Sequence, residues 1–254
     1  MLLTIEIGNT NITLGAYRDE KLLFVSRMFT ARNKTSDEFA AELLNIFKLY
    51  EVGATEFSKV VMSCVVPEIE DSVIRAVKMI TGKKPAIVGA ENHGSFKIDI
   101  LPVSAVGADL ICAAVAAKAK YPLPCLVADL GTATKIIVVD RDGRFVGCTI
   151  SPGVKISMDA LAAKASLLPS VSFKAPEKAV GANTAECIQS GVVFGTAAML
   201  DGLIRRISNE LSLENATVVA TGGYSRGIIP CCETEIIYDE NLILDGLFEI
   251  SRDI

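Results

Sequence analysis

Residues 2–24, LLTIEIGNTNITLGAYRDEKLLF, and residues 125–147, CLVADLGTATKIIVVDRDGRFVG, are two versions of one pattern. In the first, Leu3, Ile5 and Ile7 alternate with other residues, the polar run Gly8-Asn9-Thr10 interrupts, and Ile12, Leu14 and Ala16 resume the alternation. That spacing predicts a β-hairpin, and LLFVSRMF supplies a third strand. The second copy follows at a constant offset of 123 residues, so Glu6 falls on Asp129, Gly8 on Gly131, Arg18 on Arg141 and Asp19 on Asp142. Unrelated hairpins share turn residues, because few residue types suit a turn. Here an acid, a glycine and a charged hairpin turn all coincide in one register. A repeat this far apart exceeds solenoid periods and points to two similar domains.

The segments between the copies alternate in type. TSDEFAAELLNIFKLYEVG opens with Thr35 and Glu38 in capping-box spacing and ends near Gly53, which predicts a helix. KVVMSCVV reads as a buried strand, Pro67 opens a second helix, and PAIVG reads as a further strand. Strands followed by helices predict an α/β fold. KYPLPC, residues 120–125, breaks a helical pattern with two prolines, so the domains are expected at residues 1–118 and 119–254. In the second half, VKISMDALAAKASLLP is expected to be helical up to Pro169. NTAECIQSGVVFGTAAMLDGLIRRISNELS reads as a long helix capped by Asn183 or Thr184. ATVVATGG reads as a strand running into a double-glycine turn, and ENLILDGLFEIS as a closing helix.

Composition excludes several classes. Of 254 residues, 50% are hydrophobic, which is material for a substantial core rather than a disordered chain. A formal net charge of −5 gives no electrostatic reason to expect nucleic acid or an anionic membrane as partner. The N-terminus lacks a basic segment and Glu6 breaks its apolar run, so no signal peptide is expected. No unbroken apolar run approaches the ~18 residues of a membrane span. Seven cysteines without C-x-x-C spacing read as reduced, mostly buried thiols of a cytoplasmic protein. His93, the only histidine, lies in the polar segment ENHGS and reads as a loop residue, which disfavours His-dependent triads.

The turns carry the chemistry. Glycine followed by Asn-Thr or Thr-Ala-Thr offers backbone N–H groups and short hydroxyls that can wrap phosphate oxygens without a basic side chain. An acid just ahead, Glu6 or Asp129, can hold a cation or its water shell beside those oxygens. Phosphoryl transfer needs little more than positioning, charge neutralisation and an oriented nucleophile. Read alone, each turn is equally an ordinary hairpin turn beside an exposed acid. Asp109 starts the apolar helix AVGADLICAAVAAKA, where it suits the helix dipole. It can also accept a proton from an attacking hydroxyl. Gly222 and Gly223, after a strand, allow a nucleotide close to the backbone.

Taken in order, GNT (8–10), SCVVP (63–67), GAD (107–109), DLGTAT (129–134), ISPG (150–153), LP (168–169), GANT (181–184), QSGVVFG (189–195), TGG (221–223) and LILDGL (242–247) resemble the type III pantothenate kinases. That family belongs to the acetate and sugar kinase, Hsp70 and actin superfamily. The resemblance implies two duplicated ribonuclease-H-like (actin-like ATPase) domains with a central cleft for ATP, and a homodimer formed through the second domain and its long helix. It implies transfer of the ATP γ-phosphate to the hydroxyl of pantothenate, the first step of coenzyme A synthesis, with Mg²⁺ and a monovalent cation, K⁺ or NH₄⁺. Carried over by motif, Asp109 is the proton acceptor. The first phosphate loop is residues 6–13, with Glu6, Gly8, Asn9, Thr10, Asn11 and Thr13 at ATP and Glu6 also at Mg²⁺ through its water shell. Thr132, Gly222 and Gly223 are further ATP contacts, and Asp129 is the monovalent-cation ligand. Gly107, Ala108, Leu110 and Thr184 face pantothenate.

The chain departs from the family pattern at chemically active positions. Glu6 replaces an Asp, and the added methylene displaces a carboxylate that would serve a geometrically demanding Mg²⁺. Leu110 replaces an Arg and can neither pair with a carboxylate nor donate to one. A tyrosine expected shortly before residue 107 is missing, Lys135 stands in place of a hydroxyl residue, and Cys148 in place of a glycine. A diverged kinase for another hydroxyl-bearing metabolite, and a catalytically weakened nucleotide-binding paralogue, are therefore the alternatives.

Overall fold

The computed structural model describes residues 1–254 and divides into two compact units. Unit 1 comprises Met1–Phe96, Ile100–Ala119 and Leu242–Ile254; unit 2 comprises Lys97–Asp99 and Lys120–Asn241.

Unit 1 is built on a five-stranded sheet of order β3-β2-β1-β4-β5. Its strands are β1 (Leu2–Ile7), β2 (Asn11–Arg18), β3 (Lys21–Phe29), β4 (Lys59–Cys64) and β5 (Ala86–Ile87). The first three form an antiparallel meander, and β4 and β5 add in parallel. Leu3, Ile5 and Ile7 point from one face into a core with Phe39, Leu43 and Phe47 of α1 (Ser36–Leu49) and Ile69, Val73 and Val77 of α2 (Pro67–Thr81). The capping box is present: Thr35 Oγ1 accepts from Glu38 N at 3.3 Å, and Glu38 Oε2 accepts from Thr35 N at 2.8 Å. The Ala-rich α3 (Ala108–Lys120) is buried along most of its length.

The final helix, α7 (Leu242–Ile250), packs on β1, β2 and β4 and so belongs to unit 1, whereas the sequence places it in the second domain. The tie is specific. Tyr17 Oη donates to Asp245 Oδ1 at 2.8 Å, and Tyr17 stacks on Phe248 with centroids 4.7 Å apart.

Unit 2 repeats the topology, with sheet order β10-β9-β6-β7-β8. Here β6 is Cys125–Leu130, β7 Ala133–Val139, β8 Phe145–Pro152, β9 Thr217–Thr221 and β10 Ile237–Tyr238. Leu126, Ala128, Leu130, Ile136 and Val138 share a core with Val154 and Met158 of α4 (Val154–Lys164) and with α5 (Thr184–Glu210). α4 stops at Lys164, short of Pro169, because Ala165 is already extended. Asn183 caps α5 by accepting from Glu186 N at 3.0 Å. By length and composition α5 would cross a membrane, but its Ile188, Val193, Ala197 and Leu200 lie in the unit 2 core. A short helix, α6 (Ser225–Ile228), follows the double-glycine turn.

One detail of the repeat differs from the constant offset. The pair Ile7↔Ile12 encloses a four-residue turn, but Leu130↔Thr134 encloses three residues. Along β7 the offset therefore drops to 122. Thr13 lies opposite Glu6, and Lys135 lies opposite Asp129.

Candidate active site

In unit 1 the first turn is held from two sides. Gly8 N donates to Asn11 O at 3.0 Å, and Thr30, just past β3, donates its N–H to Thr10 O at 3.0 Å and its hydroxyl to Gly8 O at 2.7 Å. Asn9, Thr10 and Asn11 are thereby presented to solvent on a fixed backbone. Glu6 leaves the sheet on the face opposite Ile5 and Ile7, and its Oε1 lies 2.8 Å from where a Cβ on Gly8 would stand. Only glycine leaves that carboxylate its place. Thr13 is its cross-strand neighbour and Ser63 its neighbour on β4.

Asp109 occupies the first turn of α3, half-buried, and its Oδ1 accepts from Leu110 N at 2.9 Å. A Cβ on Gly107 would sit 2.6 Å from the same oxygen. Glu6 and Asp109 bear on one buried group, the Cys112 thiol. Burial pushes that thiol far up, both carboxylates push it further, and the Ser63 hydroxyl opposes them. Two acids of unit 1, one beside the first turn and one at the start of α3, thus act on the same buried thiol. Leu110 is only 6% exposed, so its side chain is part of the packing around α3.

Arg32 was not legible as a site residue. Its Nη2 donates to Asn9 Oδ1 at 2.9 Å while Nη1 pairs with Glu68 at 2.5 Å, which sets a guanidinium against the turn. The contact depends on β3 returning beside that turn, and no local motif announces it.

In unit 2 three glycines crowd the second turn. A Cβ on Gly153 would lie 2.1 Å from Thr132 O, and one on Gly222 would lie 2.6 Å from Leu130 O and 2.8 Å from Asp129 Oδ1. Gly222 also has φ +95°, which disfavours any side chain. Gly131 N donates to Ala133 O at 3.2 Å, Thr132 is exposed, and Gly223 has open space around it. Asp129, 6% exposed, is paired with Lys135: Nζ to Oδ2 is 2.7 Å, with side-chain exposures of 13% and 8%. Thr184 opens α5 and lines an apolar groove of about 930 Å³ between α4 and α5, away from the Asp129 turn in sequence and in element. Cys148 sits on β8 opposite Ile137.

The donors fit a divalent ion held mostly by phosphate. Mg²⁺ typically takes one or two carboxylates plus substrate phosphates and waters. Glu6 beside a turn that bears one hydroxyl and two amides suits that, and no group of three or more His, Cys, Asp or Glu side chains converges to hold an ion by itself. A monovalent cation on Asp129 fits less well, because the Lys135 ammonium already sits on that carboxylate.

Comparison with known proteins agrees with the duplicated fold. Residues 2–206 match the family described as type III pantothenate kinase. A type III pantothenate kinase of Exiguobacterium sibiricum is 37% identical over 247 residues, covering 97% of each chain. Among solved structures, component A of (R)-2-hydroxyglutaryl-CoA dehydratase from Acidaminococcus fermentans superposes with a TM-score of 0.60 at 16% identity, over 99% of this chain and 98% of that one. An inorganic polyphosphate/ATP-glucomannokinase from Arthrobacter superposes with a TM-score of 0.50 at 15% identity, over 100% and 99%. Both likenesses concern the fold, which is that of the actin-like ATPases and sugar kinases.

Proposed function

The chain belongs to the type III pantothenate kinase family, and from that premise we propose that it transfers the γ-phosphate of ATP to the hydroxyl of pantothenate, the first step of coenzyme A synthesis. The observation that carries the reading is that unit 1 holds both a carboxylate, Glu6, for which Gly8 leaves room beside a solvent-presented polar turn, and a second carboxylate, Asp109, in the first turn of α3. In the reaction the pantothenate hydroxyl oxygen attacks the γ-phosphorus, the bond to the β-phosphate oxygen breaks, ADP leaves, and Asp109 takes the hydroxyl proton. The Leu110 N–H fixes the Asp109 carboxyl in one orientation.

Asn9, Thr10 and Asn11 offer polar groups to phosphate oxygens, Gly8 keeps room for the Glu6 carboxylate, Thr13 lies beside Glu6, and Arg32 adds a positive charge. A divalent ion bound at Glu6 supplies charge neutralisation on those oxygens. In unit 2, Thr132, Gly222 and Gly223 serve the nucleotide, Gly222 by letting the turn close against Leu130 and Asp129 and Gly223 by leaving open space beside the backbone. Gly107, Ala108, Leu110 and Thr184 are assigned to the pantothenate side.

The family's homodimer is supported by the groove along α5, where a Cβ added at Gly191 or Gly195 would meet nothing within 4 Å and Leu161 is exposed. Small residues on such a helix let a second copy approach closely. The cytoplasm is the compartment proposed, in keeping with seven cysteines without C-x-x-C spacing. A second acceptor is favoured by one feature only, the apolar Leu110 at the family's arginine position.

Purified protein incubated with ATP, Mg²⁺ and pantothenate tests the reading: ADP and a phosphorylated pantothenate should form in equal amounts. Turnover of another hydroxyl-bearing metabolite in place of pantothenate would move the assignment to that acceptor. Nucleotide binding with no turnover of any acceptor would point to the weakened paralogue.

A further inference from the structure

Lys135 has a role that the family reading does not contain. Its ammonium lies 2.7 Å from Asp129 Oδ2 on the neighbouring strand, and both side chains are almost withdrawn from solvent. A buried ion pair costs desolvation on both partners, so it is an inefficient way to stabilise a strand that apolar residues flank on both sides. The pair also sits at a particular place. Asp129 is the acid of the second turn, with Oδ1 against Gly222 and Gly131, and Lys135 holds the register position that Thr13 holds opposite Glu6. The repeat has therefore exchanged a neutral hydroxyl for a tethered cation beside one acid and not beside the other.

We propose that the Lys135 ammonium replaces the monovalent cation that the resemblance assigns to Asp129, so that this chain binds and uses nucleotide without K⁺ or NH₄⁺. The charge balance is the same in both arrangements, one carboxylate against one monovalent positive charge. An ammonium on a four-carbon stem is a compact point charge with three donors, chemically close to NH₄⁺ itself. Being covalently attached, it is present at every ionic composition. Thr or Ser at position 135 would leave Asp129 without that charge and would open room for a solute ion. The proposal rests on the Asp129 turn serving nucleotide, and it reassigns only the cation.

The test compares wild type, Lys135→Thr and Lys135→Gln, titrated by calorimetry with Mg²⁺ and a non-hydrolysable ATP analogue in K⁺ or in tetramethylammonium at about 0.1 M, a concentration at which general screening is equal. Wild-type affinity should be the same within about twofold in the two salts. Lys135→Thr should bind about tenfold more weakly in tetramethylammonium and recover in K⁺, the scale of loss seen when a partner of an ion site is removed. Lys135→Gln, which removes the charge and fills the space, should bind weakly in both. Wild-type binding that K⁺ strengthens about tenfold would overturn the proposal, and this arm needs no variant to fold. So would a Lys135→Thr protein indifferent to the salt. If wild type binds no nucleotide in either salt, the nucleotide reading fails by itself. The cation claim is then decided by melting: a midpoint that K⁺ raises in Lys135→Thr but not in wild type supports it, and equal midpoints sink it.

Discussion

Gly246→Ala should damage both stability and catalysis through one contact. Gly246 lies on α7 where that helix crosses α3, and a Cβ there would stand 1.9 Å from Cys112 O and 2.6 Å from Cys112 C. Ordinary contact begins at 3.4 Å, so the two helices must separate by about 1.5 Å. The added Cβ is fixed to the backbone of α7 and the Cys112 carbonyl is backbone of α3, so no side-chain rotation relieves the collision. Overpacking costs about 1–3 kcal/mol, and a backbone collision belongs at the upper end. For a chain of this size ~3 kcal/mol lowers the midpoint by roughly 6–12 °C. Cys112 is one turn beyond Asp109 on α3, so the displacement also moves the proposed proton acceptor. A misplacement of about 1 Å can cost on the order of 100-fold in rate. Gly202→Ala is the matched control, because nothing lies within 4 Å of its Cβ position, and alanine is favoured in a helix interior by about 0.5–1 kcal/mol. Thermal melting followed by circular dichroism, with turnover measured well below either midpoint, reads both effects. A Gly246→Ala midpoint within about 2 °C of wild type would refute the close approach of α7 to α3.

Three further outcomes follow from individual groups. Glu6→Gln should weaken nucleotide binding about tenfold in the presence of Mg²⁺ and little in its absence, measured by calorimetry with and without the ion; equal losses in both would remove the ion from Glu6. Burial pushes the Asp201 carboxyl up, but the N–H groups of Glu233 and Thr234, at 2.8 and 3.0 Å, together with Arg205, leave it below its ordinary 3.8. A depressed folded value means stability present above pH ~3.8 and lost as the pH falls through the folded value; Asp201→Asn should flatten the acid limb of a melting-point profile, and an unchanged limb would count against these bonds. Burial raises the Cys64 thiol to about 11 and those of Cys125 and Cys232 to about 12, so each is almost wholly protonated at pH 8. A disulfide-exchange reagent at pH 8 should therefore label the exposed Cys187 first, and mass spectrometry finding Cys125 labelled ahead of it would contradict the burial.

The duplication was legible because it rests on local chemistry. Acid, glycine and charged hairpin turn recur in order, and both copies form the meander they predict. Helix starts were equally readable from Thr35, Pro67 and Asn183, each a residue whose side chain or ring satisfies an N-terminal requirement. The missing residue in the second turn was not. Ile136, Ile137, Val138 and Val139 are all buried, so β7 lacks the alternation that would fix its register from sequence alone. That slip is what brings Lys135, rather than Ile136, opposite Asp129. The placement of α7 in unit 1 was also hidden, since it depends on contacts with strands more than two hundred residues away, such as Tyr17 with Asp245. Of the site, the acids and glycines could be named from spacing, whereas Arg32 reaches Asn9 only through the path of β3.

The central claim is that this chain phosphorylates pantothenate and that Asp109 receives the proton. Phosphorus NMR of ATP, Mg²⁺ and pantothenate with wild type and Asp109→Asn in parallel tests it most directly. A phosphate-monoester signal should grow with wild type as ATP is consumed, and should grow about 10²–10⁴ times more slowly with Asp109→Asn while nucleotide affinity is retained. A monoester signal absent with wild type, or undiminished with Asp109→Asn, would contradict the account.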